Sequence, residues 1–213
     1  MPRDGSPTRT RLLDAAERLV IDNGYAATSV DAVIAEARSS KGAFFHHFAS
    51  KADLAVHLVE RYAAADEAQL HAGLAAVAPI DDPRERLLEF VRFFEDEADA
   101  LMEGQSSCLY IAVLTERELA IGETSEPIAR AVTAWRRAVS DLLRDAIRPA
   151  ELDEPSIEAL ADHVFVTFEG AFILSRSAAD PTHMRRQLAA LRLLLAGLVQ
   201  GGGYDGREGR PGQ

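Results

Sequence analysis

The chain has 213 residues, 47% hydrophobic and 27% charged, with a formal charge of −11 at pH 7, a balance that suits one or two soluble globular units with sizeable cores. One cysteine excludes a disulfide framework within the chain, and with six scattered histidines no zinc site or other cofactor is expected. No apolar run approaches the roughly 18 residues of a membrane span and the start lacks a signal-peptide pattern, so the expected address is the reducing cytoplasm, with no membrane partner.

In chain order, Leu12, Ala15, Ala16, Leu19 and Val20 form one helical stripe, ended by Asn23-Gly24. Thr28 is expected to open a short helix over about 29–36, with Asp31 completing a capping box and Val30, Val33 and Ile34 on its apolar side. A second short segment runs from Ser40 to Phe48. Ser50-Lys51-Ala52-Asp53 repeats the capping signal before a long helix carrying Leu54, Leu58, Tyr62 and Ala65. Leu87, Val91, Phe94, Ala98 and Leu101 mark the next helix, and a further segment follows from about Cys108 to Leu119. A helix near 126–148 carries Trp135 and Leu142. Ile157, Leu160, Val164, Phe165, Phe168 and Phe172 give a broad apolar face, and Leu188, Leu191, Leu194, Leu195 and Leu198 give the last stripe.

Proline placement agrees with helices. Four of the nine prolines follow an acid, at Asp82-Pro83, Glu126-Pro127, Glu154-Pro155 and Asp180-Pro181. Proline suits the first helical turn, where its missing N–H costs nothing and the acid favours the positive helix end. No stretch alternates as a strand would. The expected class is all-α, about nine helices, with a tail over 201–213 whose glycine-rich composition points to disorder.

The informative stretch is 28–48. Two short helices joined by a turn at Ala37-Arg38-Ser39 match a helix-turn-helix, in which the second helix enters the major groove. Its leading end is small and polar, Ser39, Ser40, Lys41, Gly42 and Ala43, which permits close approach, and Lys41 can reach a guanine edge or a phosphate. Phe44 and Phe48, four apart, anchor the inner face, leaving His46 and His47 outward with Lys51 beyond. Phosphate contacts are expected from the start of the 29–36 helix with the hydroxyls of Thr28 and Ser29, from His47 and Lys51 across the groove, and from Arg3, Arg9 and Arg11 as a basic arm. The charge distribution permits this. Residues 1–61 hold eight basic and eight acidic side chains, so the whole acidic excess lies beyond residue 61.

These residues carry a resemblance. Residues 8–62 resemble the DNA-binding domain of TetR-family transcriptional regulators, in the first helix, the Asn-Gly-Tyr-Ala-Ala-Thr-Ser-Val joint at 23–30, and Ser-Lys-Gly-Ala-Phe-Phe-His-His-Phe followed by Ser-Lys-Ala-Asp-Leu over 40–54. Two positions depart from the family pattern. Arg38-Ser39 stands where Gly-Val is usual, so Arg38 is expected either to strain the turn or to add a phosphate contact. Phe45 stands where tyrosine is usual, keeping the packing and losing a hydroxyl that touches phosphate.

The resemblance implies that the chain divides into a flexible arm (1–7), the DNA-binding domain (8–62), a ligand-binding and dimerisation domain (63–200) and the tail. Independently, the 155–178 and 181–200 helices could pair across two subunits as a four-helix interface, Gly170-Ala171 permitting close approach. Candidate lining for a small, largely apolar inducer comes from Phe90, Phe93, Phe94 and Met102, from Cys108, Tyr110 and Trp135, and from His163, Phe165 and Phe168. The expected function is a homodimeric regulator, a repressor released from a palindromic operator by its inducer. Ser-Cys-Leu-Tyr (107–110) is similar to a Cys-Leu pair in one branch of the family. A thiol sensor at Cys108 is therefore an alternative, since a helix start lowers thiol pKa. Alternatives from other classes are a helical adaptor and an all-helical enzyme. No nucleophile–base arrangement, phosphate loop or metal-ligand spacing supports the enzyme.

Overall fold

The structure, a computed structural model, describes residues 6–104, 124–147 and 152–200. The described residues are helical throughout, without strands: α1 (Ser6–Asn23), α2 (Val30–Glu36), α3 (Lys41–His47), α4 (Lys51–Val77), α5 (Pro83–Asp96), α6 (Ala98–Gly104), α7 (Ser125–Ala146), α8 (Glu154–Ser177) and α9 (Thr182–Gln200). The expected arm over 1–5, the segment from Cys108 to Leu119 and the tail fall outside the described residues. Residues 6 and 7, assigned to the arm, begin α1.

The helix ends follow local chemistry. Ser29 caps α2, its Oγ accepting from the Ala32 amide at 3.1 Å, and Ser40 caps α3 by accepting from Ala43 at 3.1 Å. At the start of α4 the Ser50 hydroxyl accepts from the Asp53 amide while the Asp53 carboxylate reaches back to the Ala49 amide. Asp82 and Asp153 cap α5 and α8 with prolines in the first turn.

Three helix ends turn through left-handed backbone. Gly24 (φ 82°) closes α1, Arg38 (φ 49°) closes α2 and Ala179 (φ 51°) closes α8. After α2 the amide of Ser39 bonds the Ile34 carbonyl and that of Arg38 bonds Ala35. After α8 Asp180 and Ala179 repeat the pattern on Ser175 and Arg176. Both are Schellman ends, for which glycine is the relaxed residue.

The chain divides into two compact units. The first reaches Ala72 and includes Ala100–Trp135; the second holds Gly73–Asp99 and the chain from Arg136 onward. α4 contributes to both, running without a break past residue 62.

In the first unit α1, α2 and α3 pack on one another around Leu12, Leu13, Ala16, Val33, Phe44 and Phe48, all buried. Arg61 on α4 bridges back to α1, with its guanidinium on Asp14 (2.6 Å) and on Glu17. In the second unit α9 packs against α5 and α8. Leu87, Val91, Leu188, Leu191 and Leu195 are buried there. Glu95 and Arg192 pair at 2.8 Å, and Asp99 and Arg185 at 2.9 Å, tying α9 to the α5–α6 junction. Gly73 lets α4 cross the aromatic side of α5, for a Cβ there would lie 2.8 Å from the Phe94 ring.

Candidate nucleic-acid interface

The α2–α3 pair is held from beneath by aromatic packing. Phe44 is fully buried and Phe48 is 1% exposed, with ring centroids 5.6 Å apart. Because 44 and 48 are one turn apart, anchoring both turns the opposite face of α3 outward. That face carries Lys41, Gly42, Phe45 and His46, all exposed, with Ser40 at its leading end. Ser39, Ala43 and His47 are half-buried at its margins, and Arg38 and Ser29 are exposed on the turn and at the α2 cap.

Several side chains have partners. Lys41 lies 3.8 Å from Asp31 in an exposed pair of little energetic weight. Arg18 and Glu36 link α1 to α2 at 3.1 Å. Arg9 lies over the Phe48 ring at 5.6 Å, beside His47, and the His46 and His47 rings are 5.0 Å apart. Partial burial, then the charges of His46 and Arg9, hold the His47 imidazole below its ordinary pKa. Arg9 thus lies beside α3 as part of α1 and not on a loose arm. Spacing along the chain gave no sign of this, because Arg9 and His47 are 38 positions apart.

Two expected phosphate contacts are placed differently. Thr28 is buried and its hydroxyl donates to the Gly24 carbonyl at 2.9 Å, stapling the α1–α2 joint, so Ser29 and not Thr28 is the cap. Lys51 is half-buried, its ammonium 4.1 Å from the Tyr25 ring centroid and 3.4 Å from the Ala26 carbonyl. It clamps that same joint to the start of α4 through a cation–π contact.

Of the candidate ligand residues, the second unit brings Phe90, Phe93, Phe94 and Phe168 together. Phe94 meets Phe168 edge-on at 5.2 Å, Phe90 at 5.2 Å and Phe93 at 5.0 Å. Phe165 is half-buried and His163 exposed on α8. Met102, half-buried, and Trp135, buried, belong to the first unit. Cys108 and Tyr110 lie outside the described residues. No group of histidines, cysteines and acids suited to a metal occurs among the described residues, and none of their helices is long and apolar enough to cross a membrane.

Comparison with known proteins agrees with this geometry. The model of bacterial regulatory proteins of the tetR family matches residues 12–58, and that of the tetracyclin repressor-like C-terminal domain matches residues 83–191. The transcriptional regulator AcuR of Cereibacter sphaeroides is 28% identical over 188 residues, spanning 84% of this chain and 82% of AcuR. The HTH-type transcriptional regulator UidR of Escherichia coli is 21% identical over 203 residues, spanning 93% of this chain and 96% of UidR. Among solved structures, the TetR-family regulator SCO4454 of Streptomyces coelicolor superposes with a TM-score of 0.71 at 17% identity, over 91% of this chain and 96% of that one. With both halves of the pattern matched, the chain belongs to the TetR family of DNA-binding transcriptional regulators.

Proposed function

We propose that this protein is a homodimeric repressor that grips a palindromic operator and is released by a small, largely apolar inducer. The observation that carries the reading is the outward apolar face of α8 and α9. Val166, Ile173 and Leu174 are exposed on α8, and Leu193, Leu194 and Leu198 on α9, with Leu193 and Leu194 each 68% exposed. Gly170 and Gly197 sit among them, and a Cβ at either would meet nothing within 4 Å. Exposed leucines beside bare backbone are costly for a monomer and suit close helix contact with a second copy.

A dimer gives two copies of α3, and reading two half-sites about one turn of DNA apart (roughly 34–36 Å) needs such a pair. The Phe90, Phe94 and Phe168 cluster supports an apolar inducer lodged against α5. Inducer binding would favour a state with the two reading helices wrongly spaced, and α4, continuous from Lys51 to Val77, is the natural lever. Only a difference in inducer affinity between the two states is required.

A gel shift with the DNA upstream of the chain's own coding region tests the reading, with sedimentation equilibrium for the dimer. Lys41→Ala is expected to weaken binding and blur base preference, and Lys51→Ala to weaken binding to all sequences alike. No change in affinity from either substitution would refute the assignment of α3.

A further inference from the structure

On the outward face of α3, the side chains of Lys41 and His46 can hydrogen-bond, and between them those of Gly42 and Phe45 cannot. Phe45 is 50% exposed although it is a large apolar side chain. Its ring is not loose. It packs edge-on against the buried Phe44, centroids 5.2 Å apart and planes at 81°, so its exposed edge has a set direction. Gly42 precedes it by three positions, one neighbour along the same helical face. A Cβ at Gly42 would meet nothing within 4 Å, and Gly42 is not among the residues of positive φ. Neither packing nor backbone geometry within the chain requires a glycine there, in a seven-residue helix where glycine is among the poorest helix formers. A bare backbone at this exposed position leaves room for a partner to approach it closely. The surrounding charges, Arg9, Arg38 and Lys41, favour a polyanion over an acidic or neutral protein surface.

We propose, resting on the regulator reading, that Gly42 and Phe45 form an apolar reader for the C5-methyl group of one thymine in each operator half-site. Of the features that base pairs present in the major groove, that methyl group is the apolar one. A guanine oxo or cytosine amino group set against the Phe45 ring would lose its water without gaining a partner. Gly42 supplies the clearance that lets the ring edge descend to the methyl, and Lys41 and His46 flank the contact with polar or phosphate-directed groups.

The test uses the full-length protein and duplexes it selects from a random-sequence library. In the selected palindrome each thymidine is replaced in turn, symmetrically, by deoxyuridine, which removes only the methyl. At one symmetric position the affinity is expected to fall about fourfold per half-site, about fifteenfold for both, from the transfer free energy of one such group. Phe45→Ala is expected to bind the parent duplex more weakly and to lose this sensitivity, while Phe45→Tyr keeps it. Replacing that thymine by 5-methylcytosine, paired with guanine, is expected to restore part of what plain cytosine loses. Equal affinity for every deoxyuridine duplex overturns the proposal, as does an undiminished deoxyuridine effect in Phe45→Ala. Failure to select any sequence from the library would instead overturn the regulator reading itself.

Discussion

Arg38 is both a strained helix end and an exposed cation on the turn between α2 and α3, and glycine at this position separates the two. Its φ of 49° lies in the left-handed region, which costs a residue bearing a Cβ about 1–2 kcal/mol. Glycine escapes that cost but brings back about 0.5–1 kcal/mol of unfolded-chain entropy. Arg38→Gly is therefore expected to stabilise the fold by roughly 0.5–1 kcal/mol, or about 1–4 °C for a chain of this size. Arg38→Ala keeps the strained geometry and removes only the charge, so its stability should stay near that of the parent. On DNA the order changes. Both variants lack the guanidinium, which is exposed and has no ion-pair partner among the described residues. Each is expected to lower the slope of log affinity against log salt by about 0.9 per subunit, the loss of one phosphate contact. Urea denaturation followed by far-ultraviolet circular dichroism reads the first effect, and fluorescence anisotropy across a salt series reads the second. Equal stability of the Gly and Ala variants would refute the strain argument, and an unchanged salt slope in both would refute the phosphate contact. Ala179→Gly is the control. It relieves the same geometry at the end of α8 and should raise stability by a similar amount without touching the salt slope.

Gly42→Ala is expected to stabilise the free protein by about 0.8–1 kcal/mol through helix propensity while weakening operator binding. An unchanged affinity would show that nothing approaches that backbone closely. Leu193→Asp with Leu194→Asp should leave the helical circular dichroism spectrum intact and convert the proposed dimer to monomer in sedimentation equilibrium, and a persisting dimer would place the interface elsewhere. Gly73→Ala forces a Cβ to within 2.8 Å of the Phe94 ring and should cost about 1–3 kcal/mol by overpacking, read as a lowered denaturation midpoint. His47 is held below its ordinary pKa by burial and then by His46 and Arg9, which favours the neutral ring in the free protein. Its lowered folded pKa means that its contribution to folding stability is present above the unfolded value near 6.5 and fades as the pH falls through it. DNA phosphates favour the protonated ring, so binding should take up a proton and tighten from pH 8 to pH 6. His47→Gln should flatten that dependence in anisotropy titrations.

Much of the reading head was legible because its determinants are local. A capping hydroxyl, a glycine after Asn23, and two phenylalanines one turn apart act within a few residues, so spacing alone predicts Ser50, Gly24 and the Phe44–Phe48 anchor. The same logic placed the prolines of α5 and α8 in their first turns. It missed by one residue at α2, where Thr28 and Ser29 are adjacent hydroxyls with equal claim to the cap. Burial decided between them, drawing Thr28 inward to the Gly24 carbonyl. Contacts between residues far apart in the chain were beyond the reach of periodicity. The Lys51 clamp on Tyr25, Arg9 over Phe48 and the Glu95–Arg192 pair join groups 26, 39 and 97 positions apart. Their existence depends on how helices cross, not on what each helix prefers. The leucines of α9 show the division most plainly. Their 3.6-residue period determined that the segment is a helix, but only packing against α5 and α8 decided that Leu188, Leu191 and Leu195 turn inward while Leu193, Leu194 and Leu198 face out. A helix rich in apolar residues on more than one side cannot choose its buried face until its neighbours are in place.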